Sequence, residues 1–216
     1  GAEFCGRVVC RDIGITAGRL QGGLPSVFTY SKEDLAGIAG RKAYSNKGTY
    51  GKVLLIAGCE GMSGAACLSA LASYRSGCGL VRVFTQACNR QVIQTYLPEA
   101  IVSVWEDEKF PQELLDEALE WSDVAGIGPG FGTGNTQKKI LTYVLGHYEK
   151  PLVIDADGLN LLAKERALLC SLRPNTVLTP HIGEMMRLIE GTKEEVLQNI
   201  VHTAAGFAEE YHAVCV

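Results

Sequence analysis

The chain has 216 residues, of which 47% are hydrophobic and 20% charged, the balance of a globular protein with enough length to bury a sizeable core. A net charge of −4 and a pI near 5.6 argue against a nucleic-acid binder, which would carry a basic stripe. No apolar run approaches the roughly 18 residues of a membrane span, and the N-terminus lacks the basic-then-apolar order of a signal peptide.

In chain order, Gly6 to Ile15 (GRVVCRDIGI) reads as one apolar strand, followed by a Gly-rich linker ending in Pro25. One strand cannot fold alone, so residues 1–24 read as the end of another domain or an added edge strand. Ser31 to Asp34 fits a capping box ahead of a short helix. Lys52 to Gly58 (KVLLIAG) is a continuous apolar strand, and Gly64 to Gly77 is a small-residue helix closed by glycine. LVRVFT, starting at Leu80, is the next strand, and Phe110 to Trp121 is an amphipathic helix.

The strand DVAGIG then runs into a glycine-rich loop, with a helix expected over Asn135 to Tyr148. PLVIDADGLN, from Pro151, gives a strand, an Asp-rich turn and a short helix through Leu168. NTVLTPHIGEMMRLI repeats strand, loop and helix. Thr192 and Glu195 cap a last long helix to about Tyr211, and AVCV begins one more strand. Apolar strands alternating with helices predict an α/β fold with a mostly parallel sheet covered on both faces.

The eight cysteines form no C-x-x-C, and none lies at zinc-ligand spacing from a histidine. Most sit in apolar runs, so reduced, buried thiols in a cytoplasmic protein are expected.

In a parallel sheet, ligands bind beyond the carboxyl ends of the strands. Four unusual loops fall there. GCEGMSGAA brings Gly58, Gly61 and Gly64 to a helix N-terminus, which suits either an anion or close packing of helix on strand. GIGPGFGTGN, Gly126 to Asn135, holds five glycines in ten residues. It matches neither the Rossmann nor the P-loop pattern. A tight turn needs one or two glycines, so this backbone is expected to lie close against something that is not protein, the other reading being a rigid turn. In DADGLN, Asp157 suits a helix cap, and Asp155 suits a hydroxyl or a metal-bound water, with Asn160 one helical turn on. In TPHIGE, His181 and Glu184 share one face of a helix start. His181 is read either as a donor to a phosphate or amide or as a helix-end hydrogen-bonder.

Taken together and in order, NKGTYGKVLLIAG, Gly61 to Ala66, SGCGLVRV, GPGFG, IDADGLN and LTPHIGEM resemble the ADP- or ATP-dependent NAD(P)H-hydrate dehydratases, a ribokinase-like family. The resemblance covers about Ser26 to Val216 and implies a three-layer ribokinase-like domain over residues 25–216. Residues 1–24 resemble the tail of the epimerase domain that precedes it in bifunctional members. The implied reaction restores NAD(P)H from its S-form hydrate: a nucleotide phosphorylates the ring hydroxyl and phosphate leaves by elimination.

By the same resemblance, Ala65, Gly130, Gly132, His181 and Glu184 contact the dinucleotide. Lys47, Asp155, Asp157 and Asn160 bind or support the nucleotide. ADP or ATP with Mg2+ and a homo-oligomeric assembly are also implied, with no nucleic-acid or membrane partner. The family's catalytic aspartate and Lys-Gly segment lie in later motifs, so a chain cut in both domains, without a catalytic residue of its own, is expected. Asn46 replaces the histidine of the family's H-K-G. The competing readings are a small-molecule kinase of the same fold, of the hydroxymethylpyrimidine or hydroxyethylthiazole type, and a non-catalytic nucleotide-binding module.

Overall fold

The computed structural model describes Gly6, Val9, Arg11 and residues 31–37, 40–106 and 110–216. The expected strand from Gly6 to Ile15 and the boundary at 24/25 lie outside the described residues. The chain divides into two compact units, Gly1–Ala43 and Tyr44–Val216. In the first, the Ser31 amide and hydroxyl both donate to Asp34 Oδ2, at 2.7 and 2.9 Å, ahead of the 3-10 turn Asp34–Gly37.

In the second unit, strand β1 (Lys52–Ile56) leads to α1 (Ser63–Arg75), then β2 (Leu80–Gln86), α2 (Arg90–Tyr96) and β3 (Ile101–Trp105). Helix α3 (Gln112–Trp121) precedes β4 (Val124–Ile127), α4 (Asn135–His147), β5 (Leu152–Ile154) and α5 (Asp157–Lys164). The chain continues through β6 (Thr176–Leu178), α6 (Ile182–Ile189), α7 (Lys193–Gln198), α8 (Ile200–Glu210) and β7 (Val214–Cys215). The seven strands form one sheet, ordered β3-β2-β1-β4-β5-β6-β7, with every neighbouring pair parallel.

The sheet's two faces follow from the period-2 alternation of its strands. Leu54, Ile56, Phe84, Ala125, Ile127, Ile154 and Leu178 point to one face, where α3, α4, α5 and α6 bury Leu115, Ile140, Leu141, Leu159 and Met185. Leu55, Ala57, Val81 and Val83 point to the other, against Ala66 and Ala70 of α1 and Ile93 of α2. The three-layer α/β architecture is therefore as expected. Cover on the second face is narrower than expected. Among the described residues it lies over β1, β2 and β3, while an open groove of about 460 Å3 runs past Leu55, Gly126 and Val153.

Three other expectations change. Helix α2 and strand β3 fill a stretch to which the sequence reading assigned no element. The long last helix is two, because Asn199 between them sits at φ −145°, ψ 51°, outside helical space. Of the six described cysteines, all free, only Cys67 is buried; Cys88 and Cys170 are exposed. Apolar neighbours in sequence do not bury a residue whose position on its helix or turn faces water.

Trp105 is 2% exposed, stacks on Phe84 at 5.0 Å between ring centroids and meets Phe131 edge-on at 5.8 Å. Replacing it by alanine removes a large buried side chain that the rigid strands cannot collapse around. Trp105→Ala should lower stability by about 3–5 kcal/mol in urea unfolding; a loss below 1 kcal/mol would mean that the aromatic cluster is not part of the core.

Candidate functional site

Because β1, β4, β5 and β6 are parallel neighbours, their following loops share the carboxyl edge of the sheet. Backbone hydrogen bonds join these loops to one another. The Gly58 amide donates to the Pro129 carbonyl at 3.0 Å, and the Gly128 amide to the Ile56 carbonyl at 3.1 Å. The Asp157 amide reaches the Gly128 carbonyl at 3.3 Å, and the Gly132 amide donates to Asp157 Oδ2 at 2.8 Å. Phe131, fully buried, anchors the centre of the glycine loop in the core.

The glycines answer to protein rather than to empty space. A Cβ on Gly128 (φ +125°) would lie 1.8 Å from the Asp155 carbonyl oxygen. On Gly130 (φ +56°) it would lie 2.8 Å from the Ala65 methyl and 2.9 Å from the Met62 carbonyl oxygen. The expectation that these glycines make room for something other than protein is therefore corrected: at these two positions the crowding neighbour is the next loop or helix. The same packing brings Gly130 and Ala65 together.

The turn after β5 carries a second constraint. Residues 155–158 close a tight turn, with the Gly158 amide donating to the Asp155 carbonyl at 2.9 Å. Ala156 sits in it at φ 48°, ψ −116°, the conformation that a type II′ turn reserves for glycine. Nothing in the sequence marks this strain, since alanine carries no signal for positive φ.

The aspartates and Asn160 are held in fixed roles. Asp155 Oδ1 accepts from the Thr179 hydroxyl at 2.9 Å, tying β5 to β6. Asp157 Oδ1 accepts from Asn160 Nδ2 at 3.2 Å, and Asn160 Oδ1 in turn accepts from Arg187 Nε at 3.0 Å. His181 is the N-cap of α6, its Nδ1 accepting from the Gly183 and Glu184 amides at 3.0 and 3.3 Å. Glu184 is 6% exposed; its Oε2 accepts from the His181 amide at 3.0 Å and its Oε1 lies 3.2 Å from His181 Nε2. Glu184 thus supports His181 and presents no free oxygen, while the His181 ring remains largely exposed. Lys47 stands apart from the other residues. It opens the 3-10 turn Lys47–Tyr50 before β1, at the sheet's amino edge, opposite the four loops.

Sequence reading missed the residues that brace the first loop from β2. Thr85 Oγ1 donates to the Gly58 carbonyl at 3.1 Å, Asn89 Nδ2 to the Cys59 carbonyl at 3.3 Å, and the Glu60 amide to Gln86 Oε1 at 2.7 Å. It also missed Lys164 and Arg187. Beside the glycine loop, a cleft of about 640 Å3 is lined by Thr133, Asp157, Asn160, Lys164, Arg187 and Glu190.

The family described as NAD(P)H-hydrate dehydratase matches residues 53–216, about three quarters of the chain. The chain belongs to the NAD(P)H-hydrate dehydratase family. It is 38% identical over 176 residues to the bifunctional NAD(P)H-hydrate repair enzyme of Escherichia coli, covering 82% of this chain and 32% of that protein. It is 39% identical over 150 residues to the ADP-dependent (S)-NAD(P)H-hydrate dehydratase of Lactiplantibacillus plantarum, covering 68% and 52%. A ribokinase-like protein of Enterococcus faecalis superposes with a TM-score of 0.75 at 29% identity, over 87% of this chain and 64% of that one. The ADP/ATP-dependent dehydratase of Bacillus subtilis, co-crystallised with ATP and Mg2+, gives 0.66 at 28% identity, over 84% and 62%. The chain thus spans about a third to a half of the length of these curated relatives.

The described residues contain no group of three or more His, Cys, Asp or Glu that could hold a metal ion. Both Asp157 oxygens and Asp155 Oδ1 accept hydrogen bonds within the protein. Among the described residues, no helix is long and apolar enough to cross a membrane.

Two predictions follow from the loop packing. Gly130→Val combines a positive φ with a direct clash, so it should cost about 2–4 kcal/mol in thermal or urea unfolding; a variant that melts like the parent would restore the view that this glycine serves a ligand alone. Ala156→Gly relieves the turn and should raise stability by about 1 kcal/mol by the same measurement, and a loss of stability would show that the turn is not strained.

Proposed function

We propose that the chain forms the dinucleotide-holding part of an enzyme that returns the S-form of NAD(P)H hydrate to NAD(P)H, using ADP or ATP as phosphoryl donor, within a bifunctional epimerase and dehydratase. The observation that carries this reading is the set of GCEGMSGAA, GPGFG, DADGLN and TPHIGE on one sheet edge, the first three joined by backbone hydrogen bonds and the last tied to Asp155 through Thr179. The relatives' printed activities support it.

In this reading the wall formed by Ala65 and Gly130 abuts the dinucleotide, and Gly132 lies beside it. Exposed His181, held by buried Glu184, presents its ring to the dinucleotide. Asp155, Asp157 and Asn160 hold the loops in register. Helix α4 starts after Gly134, which as a glycine supplies no side-chain cap. The nucleotide's terminal phosphoryl group passes to the nicotinamide ring hydroxyl. The carbon–oxygen bond then breaks, phosphate leaves with the electron pair, and loss of a proton from the neighbouring carbon restores the ring double bond. The chain's contribution is positioning, which supplies much of the rate in phosphoryl transfer. Homo-oligomeric assembly and a cytoplasmic location belong to the same proposal.

The test incubates the full-length protein with NADH hydrate and ADP or ATP and follows the return of reduced-nicotinamide absorbance. Nucleotide-dependent recovery of NADH is expected. Phosphorylation of a hydroxymethylpyrimidine or hydroxyethylthiazole instead, without NADH recovery, would replace this reading by the small-molecule kinase.

A further inference from the structure

The cleft beside the glycine loop carries two cations with an unusual set of partners. Lys164 Nζ donates to the hydroxyl of Thr133 at 3.0 Å, and Arg187 Nε donates to the side-chain carbonyl of Asn160 at 3.0 Å. Both partners are neutral, so they fix the cations in place without cancelling their charge. The terminal nitrogens of Arg187 have no hydrogen-bond or ion-pair partner among the described residues. The two anions of the cleft are turned elsewhere. Asp157 is taken up by the Gly132 amide and Asn160, and Glu190 lies 3.7 Å from Arg166.

Arg187 is also connected to the glycine loop. The Gly132 amide holds Asp157, Asp157 holds Asn160, and Asn160 holds Arg187 Nε. An exposed arginine normally samples many rotamers, and fixing it has an entropic cost. Here the cost is met in the free protein by a relay that begins at the loop backbone. What is left pointing into the cleft is the two-nitrogen fork of a guanidinium, whose geometry matches two oxygens of one phosphoryl group. Lys164, on Thr133, adds a point charge to the same cleft.

We infer that Lys164 and Arg187 form an anion-recognising corner that holds a phosphoryl group of the dinucleotide. This rests on the proposed function for the identity of the ligand, but not for the corner itself. The shared chemistry is a phosphate dianion or diester. Its two sources in the dinucleotide are the 2′-phosphate, present in NADPH and absent in NADH, and the pyrophosphate common to both. Asp157 and Asn160 are then positioning residues that act through Arg187.

The experiment uses the full-length protein and titrates NADPH, NADH and ADP by calorimetry into the parent, Lys164→Gln, Arg187→Gln and the double variant. Both side chains are exposed, so thermal melting should stay close to the parent. The double variant should bind NADPH at least tenfold more weakly, and the salt dependence of its binding should flatten, a change that lost packing would not produce. Loss for NADPH alone assigns the corner to the 2′-phosphate, and equal loss for NADPH and NADH assigns it to the pyrophosphate. Arg187→Lys should recover only part of the affinity, since it keeps the charge and loses the fork.

Unchanged affinity for both dinucleotides, or a loss confined to ADP, overturns the inference. The steady-state KM for NADPH hydrate should rise in parallel with the calorimetric loss. A parent protein that binds NADPH but regenerates none from the hydrate would sink the functional reading and leave the corner standing. Turnover by the parent with unaltered affinity in the variants would do the reverse. Failure of the parent to bind either dinucleotide overturns both.

Discussion

The site depends on how closely three strand ends approach at Gly128. Its amide is held by the Ile56 carbonyl at the end of β1, its carbonyl receives the Asp157 amide after β5, and the Asp155 carbonyl lies where a Cβ would be. Any other residue would push β4 away from β5 and take the loop with it. Once this approach is fixed, Phe131 can reach the core, Gly132 can offer its amide to Asp157, and Asp157 can orient Asn160. The cleft is therefore a consequence of backbone packing. Its geometry is set before any side chain that faces solvent is chosen.

Much of this was legible in the sequence, for a physical reason. Buried parallel strands must be apolar on both faces, so KVLLI, VAGI and LVI stand out, and the residues that break the pattern must lie at strand ends. That reasoning located the four loops and their common edge. It failed where periodicity is too short to register: α2 has seven residues, below the window in which helical spacing can be counted. Strand β3 (IVSVW) did carry a β-branched alternation and could have been found from it. The break at Asn199 was hidden because a capping box announces where a helix starts and says nothing of where it stops.

The candidate site was legible in its loops and less so in its roles. A run of glycines was rightly read as close approach, but sequence alone cannot say to what. Ala65 and Met62 arrive from α1 and its preceding turn, some sixty-five residues upstream of Gly130, and nothing local to GPGFG announces them. Lys47 is placed differently. It is close to β1 in sequence, yet it precedes the strand while the loops follow it, and that difference puts it on the other edge of the sheet. Polarity of the strand, rather than distance along the chain, decides membership of the site.

A cleft stitched together by backbone leaves its floor chemically bland, and this has a consequence for recognition. Amides and carbonyls that hold one another cannot also read a ligand, and Gly132 has already given its amide to Asp157. Discrimination must then come from the few side chains that rise from the stitched floor with polar atoms to spare. The His181 ring is exposed, but its Nδ1 is committed to the cap and its Nε2 lies 3.2 Å from Glu184 Oε1. Lys164 and Arg187 are the ones beside the loop, each leaning on a neutral oxygen. A neutral partner is what lets a cation be both fixed and unspent: a carboxylate in the same place would fix it equally well and cancel the field that a phosphate would feel. The choice of Thr133 and Asn160 as partners, where Asp or Glu would have served packing as well, is the feature that separates a recognising corner from an ordinary surface ion pair.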